Sequence, residues 1–146
     1  MSSEENRKSI DPEEQDTIAR KVRAWLNTCS YKPRKIGFEY LSELGIAMST
    51  IQGIYTKRFI DGSYEAQYQF RLVYRLIPST DDERLTADET LNKIGRWITV
   101  EADPPTISNN IIIRKFERTM SSLFNRYDDG AEDHIIDITM TYEVNV

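Results

Sequence analysis

The side chains best suited to catalysis in this sequence are one histidine and one cysteine. His134 is the only histidine, so any Ser-His-Asp or Cys-His arrangement would have to use it. It shares the parity of Ile136 at the start of an alternating run, which predicts a strand end and a structural hydrogen bond. Cys29 falls on the apolar stripe of a predicted helix, as is typical of a buried, unreactive thiol. We therefore predict no catalytic residues and keep an enzyme built around His134 as an alternative.

Acidic side chains cluster in two segments that could bind a cation or repel an anion. The first segment contains Asp128, Asp129, Glu132 and Asp133, and the second contains Asp81, Asp82 and Glu83. The first surrounds a glycine, as calcium loops do, but lacks the ligand spacing of an EF-hand. We interpret it as a solvated turn and the second as an exposed connection. With one cysteine and no glycine-rich phosphate loop, the sequence predicts no metal site and no cofactor.

Basic and aromatic residues are interleaved in one segment of the C-terminal half. The set comprises Arg114, Lys115, Phe116, Arg118, Arg126 and Tyr127. Such interleaving can bind single-stranded nucleic acid by charge and stacking. Glu117 and the neighbouring acidic segment dilute the charge, which favours a strand surface or a protein interface. A small nucleic-acid-binding module is kept as an alternative.

Composition sets the broad class of the protein. The chain has 146 residues, 39% hydrophobic and 29% charged, with a formal net charge of −5. One domain over residues 11–146 is expected, after a flexible tail over 1–10. The negative charge argues against a nucleic-acid coat and a basic membrane-surface protein. No apolar run approaches the roughly 20 residues that span a bilayer, and no signal peptide is recognisable, so we expect a soluble protein of a reducing compartment.

Charge is distributed unevenly along the chain. Residues 1–75 carry 12 basic and 10 acidic side chains, whereas residues 76–146 carry 7 basic and 14 acidic ones. This asymmetry predicts a molecule with two electrostatic faces, which would govern the surfaces that it can bring together.

Two helices are predicted from capping signals and apolar periodicity. Asp11, Pro12 and Glu14 suit the start of a helix over about residues 12–29, with Glu14 completing a capping box. Its apolar stripe contains Ile18, Val22, Trp25, Leu26 and Cys29. A second capping box at residues 86–89 predicts a helix that ends before Pro104, and its apolar face contains Ala87, Leu91, Ile94 and Ile98.

Strict two-residue alternation predicts the strands, the longest over about residues 65–76 after a tight turn at Asp61-Gly62. Its apolar face contains Ala66, Tyr68, Phe70, Leu72, Tyr74 and Leu76, and its polar face contains Glu65, Gln67, Gln69, Arg71 and Arg75. The last strand directs Ile136, Ile138, Met140, Tyr142 and Val144 inward. Extended segments are predicted at 36–40, 46–55 and 107–118, and an irregular segment at 119–133. The fold class is therefore α+β, a mainly antiparallel sheet with two helices packed on one face.

Three segments of the C-terminal half are similar to minor capsid proteins of long-tailed bacteriophages, a family understood as tail terminators. They are residues 112–119 (IIRKFERT), 126–133 (RYDDGAED) and 138–143 (ITMTYE). The element order also resembles that family over about residues 12–146.

The resemblance implies a virion protein at the head–tail junction, assembled in the bacterial cytoplasm. Such a protein forms a closed, typically hexameric ring on the end of the tail tube, stops tube polymerisation and joins tail to head. Its partners would be copies of itself, the tail-tube protein and a head-completion or connector protein, while DNA passes through without specific binding. No membrane is involved. A connector or tail-completion protein of the same machine is the closest alternative.

Residue assignments for this role follow from charge and alternation. A closed ring needs two different patches per subunit, and an acidic lumen would repel DNA. The candidate interface residues are Gln67, Gln69, Arg71, Arg75, Arg114 and Arg118. The candidate lumen-facing residues are Asp81, Asp82, Glu83, Asp128, Asp129, Glu132 and Asp133.

Overall fold

The computed structural model describes residues 8–39 and 44–146, which form helices packed on one sheet. The helices are α1 (Pro12–Leu26) and α2 (Asp81–Arg96), and a π-helical turn, Trp97–Glu101, extends α2. The strands are β1 (Gly37–Phe38), β2 (Gly45–Arg58), β3 (Tyr64–Leu76), β4 (Ile111–Arg118), β5 (Ser122–Arg126) and β6 (Glu132–Val144). The predicted α+β class, with a mainly antiparallel sheet, is confirmed.

The sheet has the strand order β1-β2-β3-β6-β4, and β5 also pairs with β6. Because β3 occupies one edge of β6 along its whole length, β4 and β5 both lie on the other edge, one after the other. Among the strand pairs of the described residues, only the short β1–β2 pair is parallel. One side of the sheet therefore ends in β1 and the opposite side ends in β4 and β5.

The core lies between the sheet and the helices. Tyr68, Phe70 and Leu72 of β3 are fully buried, and each pairs with a buried residue of β6. Their partners are Met140, Ile138 and Ile136, respectively. Burying each of these side chains contributes about 1.5–3 kcal/mol, which fixes the strand register because a one-residue slip would expose the whole set. The predicted inward faces of both strands are confirmed here.

The first helix begins as predicted and ends earlier. Asp11 accepts a hydrogen bond from the amide of Glu13 at 2.9 Å. The helix ends at Leu26, and Asn27 is its C-cap residue. The side-chain oxygen of Asn27 accepts a hydrogen bond from the amide of Ile36 at 2.8 Å. The buried residues of this stripe are Ile18, Val22, Leu26 and Cys29.

The predicted start of the second helix is wrong. The helix begins at Asp81, and its N-cap is Thr80, whose hydroxyl accepts a bond from the amide of Glu83 at 3.2 Å. The acidic segment predicted as an exposed connection is therefore the first turn of α2. Negative side chains are favourable there because the free amides of a helix start carry partial positive charge.

Two other predictions change at the edges of the sheet. The irregular segment contains β5, which is exposed throughout. Within the predicted tail, Ser9 pairs with Ile54 of β2 and Ile10 is only 3% exposed, so the packed unit begins by Lys8. Residues 1–7 of that tail, and Tyr40 of the first predicted strand, lie outside the described residues.

Candidate assembly surfaces

The two differently charged halves of the chain supply the strands on the two sides of the sheet. The first half supplies α1, β1, β2 and β3, and the second half supplies α2, β4, β5 and β6. Helix α1 packs on β2, and α2 packs on β6 and β3. Described residues up to 75 carry 11 basic and 7 acidic side chains, whereas residues 76–146 carry 7 and 14. Charge is therefore polarised across the sheet, from the β1 side to the β4–β5 side.

The face of the sheet opposite the helices, here called the outer face, carries four predicted interface residues on β3. Gln67 and Gln69 are half-buried, and Gln69 accepts a hydrogen bond from the side chain of Gln52 at 3.0 Å. Arg71 and Arg75 follow them along β3, and the charge of each arginine is neutralised by a carboxylate of the same chain. The middle of this face is thus uncharged and polar.

Both arginines of β3 form ion pairs with β6 that aromatic rings cover. The Nε atoms of Arg71 and Arg75 lie 2.7 Å from Asp137 and Asp133. The ring of Phe124 stands 4.7 Å from the guanidinium carbon of Arg71. Tyr127 covers Arg75 in the same way at 4.9 Å. A guanidinium held between a carboxylate and a ring is oriented and partly shielded from water, which weakens its attraction for a partner.

Arg114 and Arg118 lie on opposite faces of the sheet. Arg114 reaches across the outer face to Glu143, with Nη2 and Oε2 at 2.7 Å. The register after the bulge pairs Arg118 with the inward residue Ile138, and its side chain lies against Gly95 of α2. These two candidate interface residues therefore belong to different surfaces of the domain.

The predicted lumen residues divide into exposed and buried ones. The exposed ones are Asp81, Asp82, Glu83, Asp128 and Asp129. Glu132 and Asp133 are 1% and 4% exposed and bind arginines inside the domain. The assignment of these two to a lumen is therefore wrong, because their carboxylates are already covered by this chain.

Burial would raise the pKa of the Glu132 carboxyl, but bonds from Arg84, His134 and Arg126 outweigh it and lower the pKa. Arg84 comes from α2 and Arg126 from β5, at 2.9 and 3.0 Å. Burial would also raise the pKa of Asp133, but hydrogen bonds from Arg75 and Tyr127 outweigh burial and lower that pKa. These carboxylates stay ionised and join three elements of the domain.

His134 sits between two carboxylates under α2. Its Nδ1 lies 2.8 Å from Asp88 of α2, and its Nε2 lies 3.1 Å from Glu132. Asp88 also accepts a bond from the hydroxyl of Ser121 at 2.7 Å. The predicted structural hydrogen bond is present, and both ring nitrogens are engaged. Cys29 is buried, and burial raises the pKa of its thiol.

The residues of the alternative nucleic-acid patch do not form one surface. Phe116 faces inward and stacks on Trp25 with ring centroids 5.2 Å apart. Lys115 faces outward opposite Thr141, and Tyr127 lies beyond β5 over Arg75. Stacking platforms need a ring beside the charges that follow a nucleic-acid backbone, and this arrangement separates them.

A cleft of about 370 Å³, which the sequence patterns did not predict, lies between α1 and β1. Arg20, Arg23, Ala19, Phe38 and Asp16 line it. A sequence signal was available, because residues 20–38 contain six basic side chains and no acidic one.

The sequence matches no protein-family model and no curated protein. Among the described residues, neither helix combines the length and the apolar character needed to cross a bilayer.

Proposed function

We propose that this chain is a structural protein of a phage virion, a minor capsid protein acting as tail terminator. It forms a ring at the head-proximal end of the tail tube, stops tube polymerisation and joins tail to head. The proposal starts from the resemblance of residues 112–119, 126–133 and 138–143. The structural observation that supports it best is the charge polarity across the sheet.

A ring of identical subunits needs two different surfaces that bind each other. The β1 side of this domain has a net positive charge and the β4–β5 side a net negative one. Neighbours placed side by side therefore meet with opposite charges, which steers association and disfavours the reversed orientation. The resemblance implies a ring of six subunits.

The exposed acidic residues remain the candidates for the lumen. Asp81, Asp82 and Glu83 lie on the first turn of α2, and Asp128 and Asp129 lie in the turn between β5 and β6. Negative charge around the channel would repel phosphate and let DNA pass without adhering.

Electron microscopy of polymerising tail tubes tests this function. Tube protein is grown with and without the chain, and tube lengths and ends are recorded in negative stain. We expect tubes that stop growing and carry a ring at one end. Undecorated tubes of unchanged length would contradict the proposal, and retention of the chain by the connector protein alone in a parallel pull-down would favour the connector alternative.

Variants of the outer face test whether it meets a neighbour. Gln67→Arg and Gln69→Arg add charge at half-buried positions without removing an ion pair, and we expect them to weaken ring formation while circular dichroism stays unchanged. Arg71→Glu would be a poorer test because it would place two carboxylates at the Asp137 contact. Unimpaired rings in both glutamine variants would remove this face from the interface.

A further inference from the structure

Helix α2 presents an exposed leucine between two carboxylates. Leu85 is 66% exposed, although leucine is the residue type expected in a core. Asp82 precedes it by three positions and Glu89 follows it by four, so all three lie on the same side of the helix. Asp82 and Glu89 are exposed as well. These three residues are called the α2 knob below.

Leu85 lies on the side of α2 that faces the β5 edge of the sheet, whereas Asp82 and Glu89 lie opposite the buried face of the helix. Asp88 and Asn92 follow Leu85 by three and seven positions and therefore share its side of the helix. Both bind Ser121, which directly precedes β5: Asp88 through the hydroxyl at 2.7 Å and Asn92 through the amide at 3.0 Å. The knob therefore protrudes from the side of α2 that is turned away from the sheet, with Leu85 nearest to β5.

The cleft between α1 and β1 has the complementary chemistry. Its apolar lining is supplied by Ala19 and by Phe38, which is 40% exposed, and its charges are supplied by Arg20 and Arg23. Arg23 is held in place because its Nε donates to the carbonyl of Ile36 at 3.0 Å. These four residues are called the α1 socket below, and Asp16 lines the same cleft. The socket lies at the β1 edge of the sheet and shares no residue with the knob.

We propose that the α2 knob of one copy of this chain inserts into the α1 socket of the next copy. The leucine covers the apolar lining, and the two carboxylates meet the two arginines. Because knob and socket are different surfaces of one domain, the contact is head-to-tail and repeats from copy to copy until a ring closes. The inference rests on the proposed function, since it names the contact that would hold that ring together.

Disulfide trapping tests this contact directly. A chain carrying Leu85→Cys and Phe38→Cys is oxidised mildly at high concentration, with buried Cys29 left in place. We expect a ladder of linked species that extends beyond the dimer. Mixing the two single variants should give heterodimers only, because each chain then has one usable partner surface.

The matched control pairs Leu85→Cys with Val100→Cys, an exposed residue of the π-helical turn. It has the same number of accessible thiols but lacks one at the socket. A ladder equally strong in this control, or no ladder in the knob–socket chain, would overturn the proposal.

Charge reversal tests the ionic part of the contact. Arg20→Glu in the double-cysteine chain should lower the linked yield at least five-fold, and adding Glu89→Lys should restore most of it. Arg23 is left unchanged because of its bond to Ile36. An unchanged yield in Arg20→Glu would show that the knob does not approach this socket.

The two proposals fail differently. Tubes that are capped normally by a chain that cannot be trapped would overturn the knob–socket contact and leave the terminator function standing. A chain that forms linked rings but never decorates tubes would overturn the terminator function and leave the contact standing.

Discussion

Tyr142, near the end of the last strand, donates a hydrogen bond from its hydroxyl to Glu14 of the first helix at 2.7 Å. Tyr64 donates to the other carboxylate oxygen of the same side chain. The two bonds attach the start of α1 to the two central strands of the sheet. Burial raises the pKa of both tyrosines, and the nearby Glu14 carboxylate raises it further. The predicted capping role of Glu14 is replaced by this contact.

Removing the Glu14 carboxylate should destabilise the fold. Glu14→Ala leaves two partly or fully buried hydroxyls without their acceptor, and we expect a loss of about 2 kcal/mol in the free energy of unfolding. Urea denaturation followed by circular dichroism measures it. Glu13→Ala, an exposed change in the same helical turn, is the control and should cost within about 0.5 kcal/mol. Equal losses in the two variants would contradict the bridging role of Glu14.

Gly95 should be intolerant of alanine although it lies inside a helix. Replacing glycine by alanine at an exposed helix position normally raises the free energy of unfolding by about 1 kcal/mol. Here an added Cβ would stand 2.7 Å from side-chain carbons of both Arg118 and Ile136. Because Ile136 is fully buried, we expect the crowding to outweigh the gain and lower the thermal midpoint. Lys93→Ala on the exposed side of α2 is the control, and a Gly95→Ala protein more stable than wild type would refute the close packing.

Stability should fall in acid through the Asp133 ion pair. The pKa of Asp133 in the folded protein lies below its ordinary value of 3.8, so the contribution of the pair is complete above that value and is lost as the pH falls through the folded one. Asp133→Asn should lower the free energy of unfolding by about 2 kcal/mol at pH 7. Below pH 4 the free energy of unfolding of this variant should fall less steeply than that of the wild type. Urea midpoints between pH 7 and 3 measure both. The exposed Asp128→Asn is the control, and parallel pH curves for wild type and Asp133→Asn would contradict the prediction.

Stability should also fall in alkali through Tyr68. Burial raises the pKa of Tyr68 from 10.0 to about 12, and its bond with the Thr50 hydroxyl opposes this only in part. Because the pKa is higher in the folded protein, the contribution of neutral Tyr68 to the free energy of unfolding is complete below pH 10. This contribution is lost as the pH rises from about 10 to about 12. Tyr68→Phe should flatten the curve of unfolding free energy over that interval. An unaltered slope would show that Tyr68 ionises as freely in the folded chain as in the unfolded one.

Local periodicity was enough to predict the two long strands and the buried helix stripes. In β3 and β6 the side chains alternate between two faces with a period of two, and apolar residues occupy one face without interruption. The pattern itself encodes which face is buried, so Tyr68, Phe70 and Ile138 were placed correctly from the chain alone. The Asp11 cap was predictable for a similar reason, because it depends on neighbours within the same turn.

Other features needed information that lies far away in the chain. Two capping boxes, beginning at Thr80 and Thr86, compete for the start of α2, and local residue types do not distinguish them. Strand β5 is exposed throughout, so its sequence has no alternation of buried and exposed residues that would predict a strand. It is extended because it pairs with β6.

Local residue patterns were sufficient to predict the fold class, the inward faces of the long strands and the uneven charge of the two halves. Which charges remain available to a partner depends instead on how distant segments pack against one another. Glu132 and Asp133 read as solvated acids, yet arginines 48 and 58 positions away bury and neutralise them. The same packing leaves Leu85 exposed and opens a basic cleft beside Phe38. Burial and pairing are relations between distant residues, so a local pattern cannot specify them.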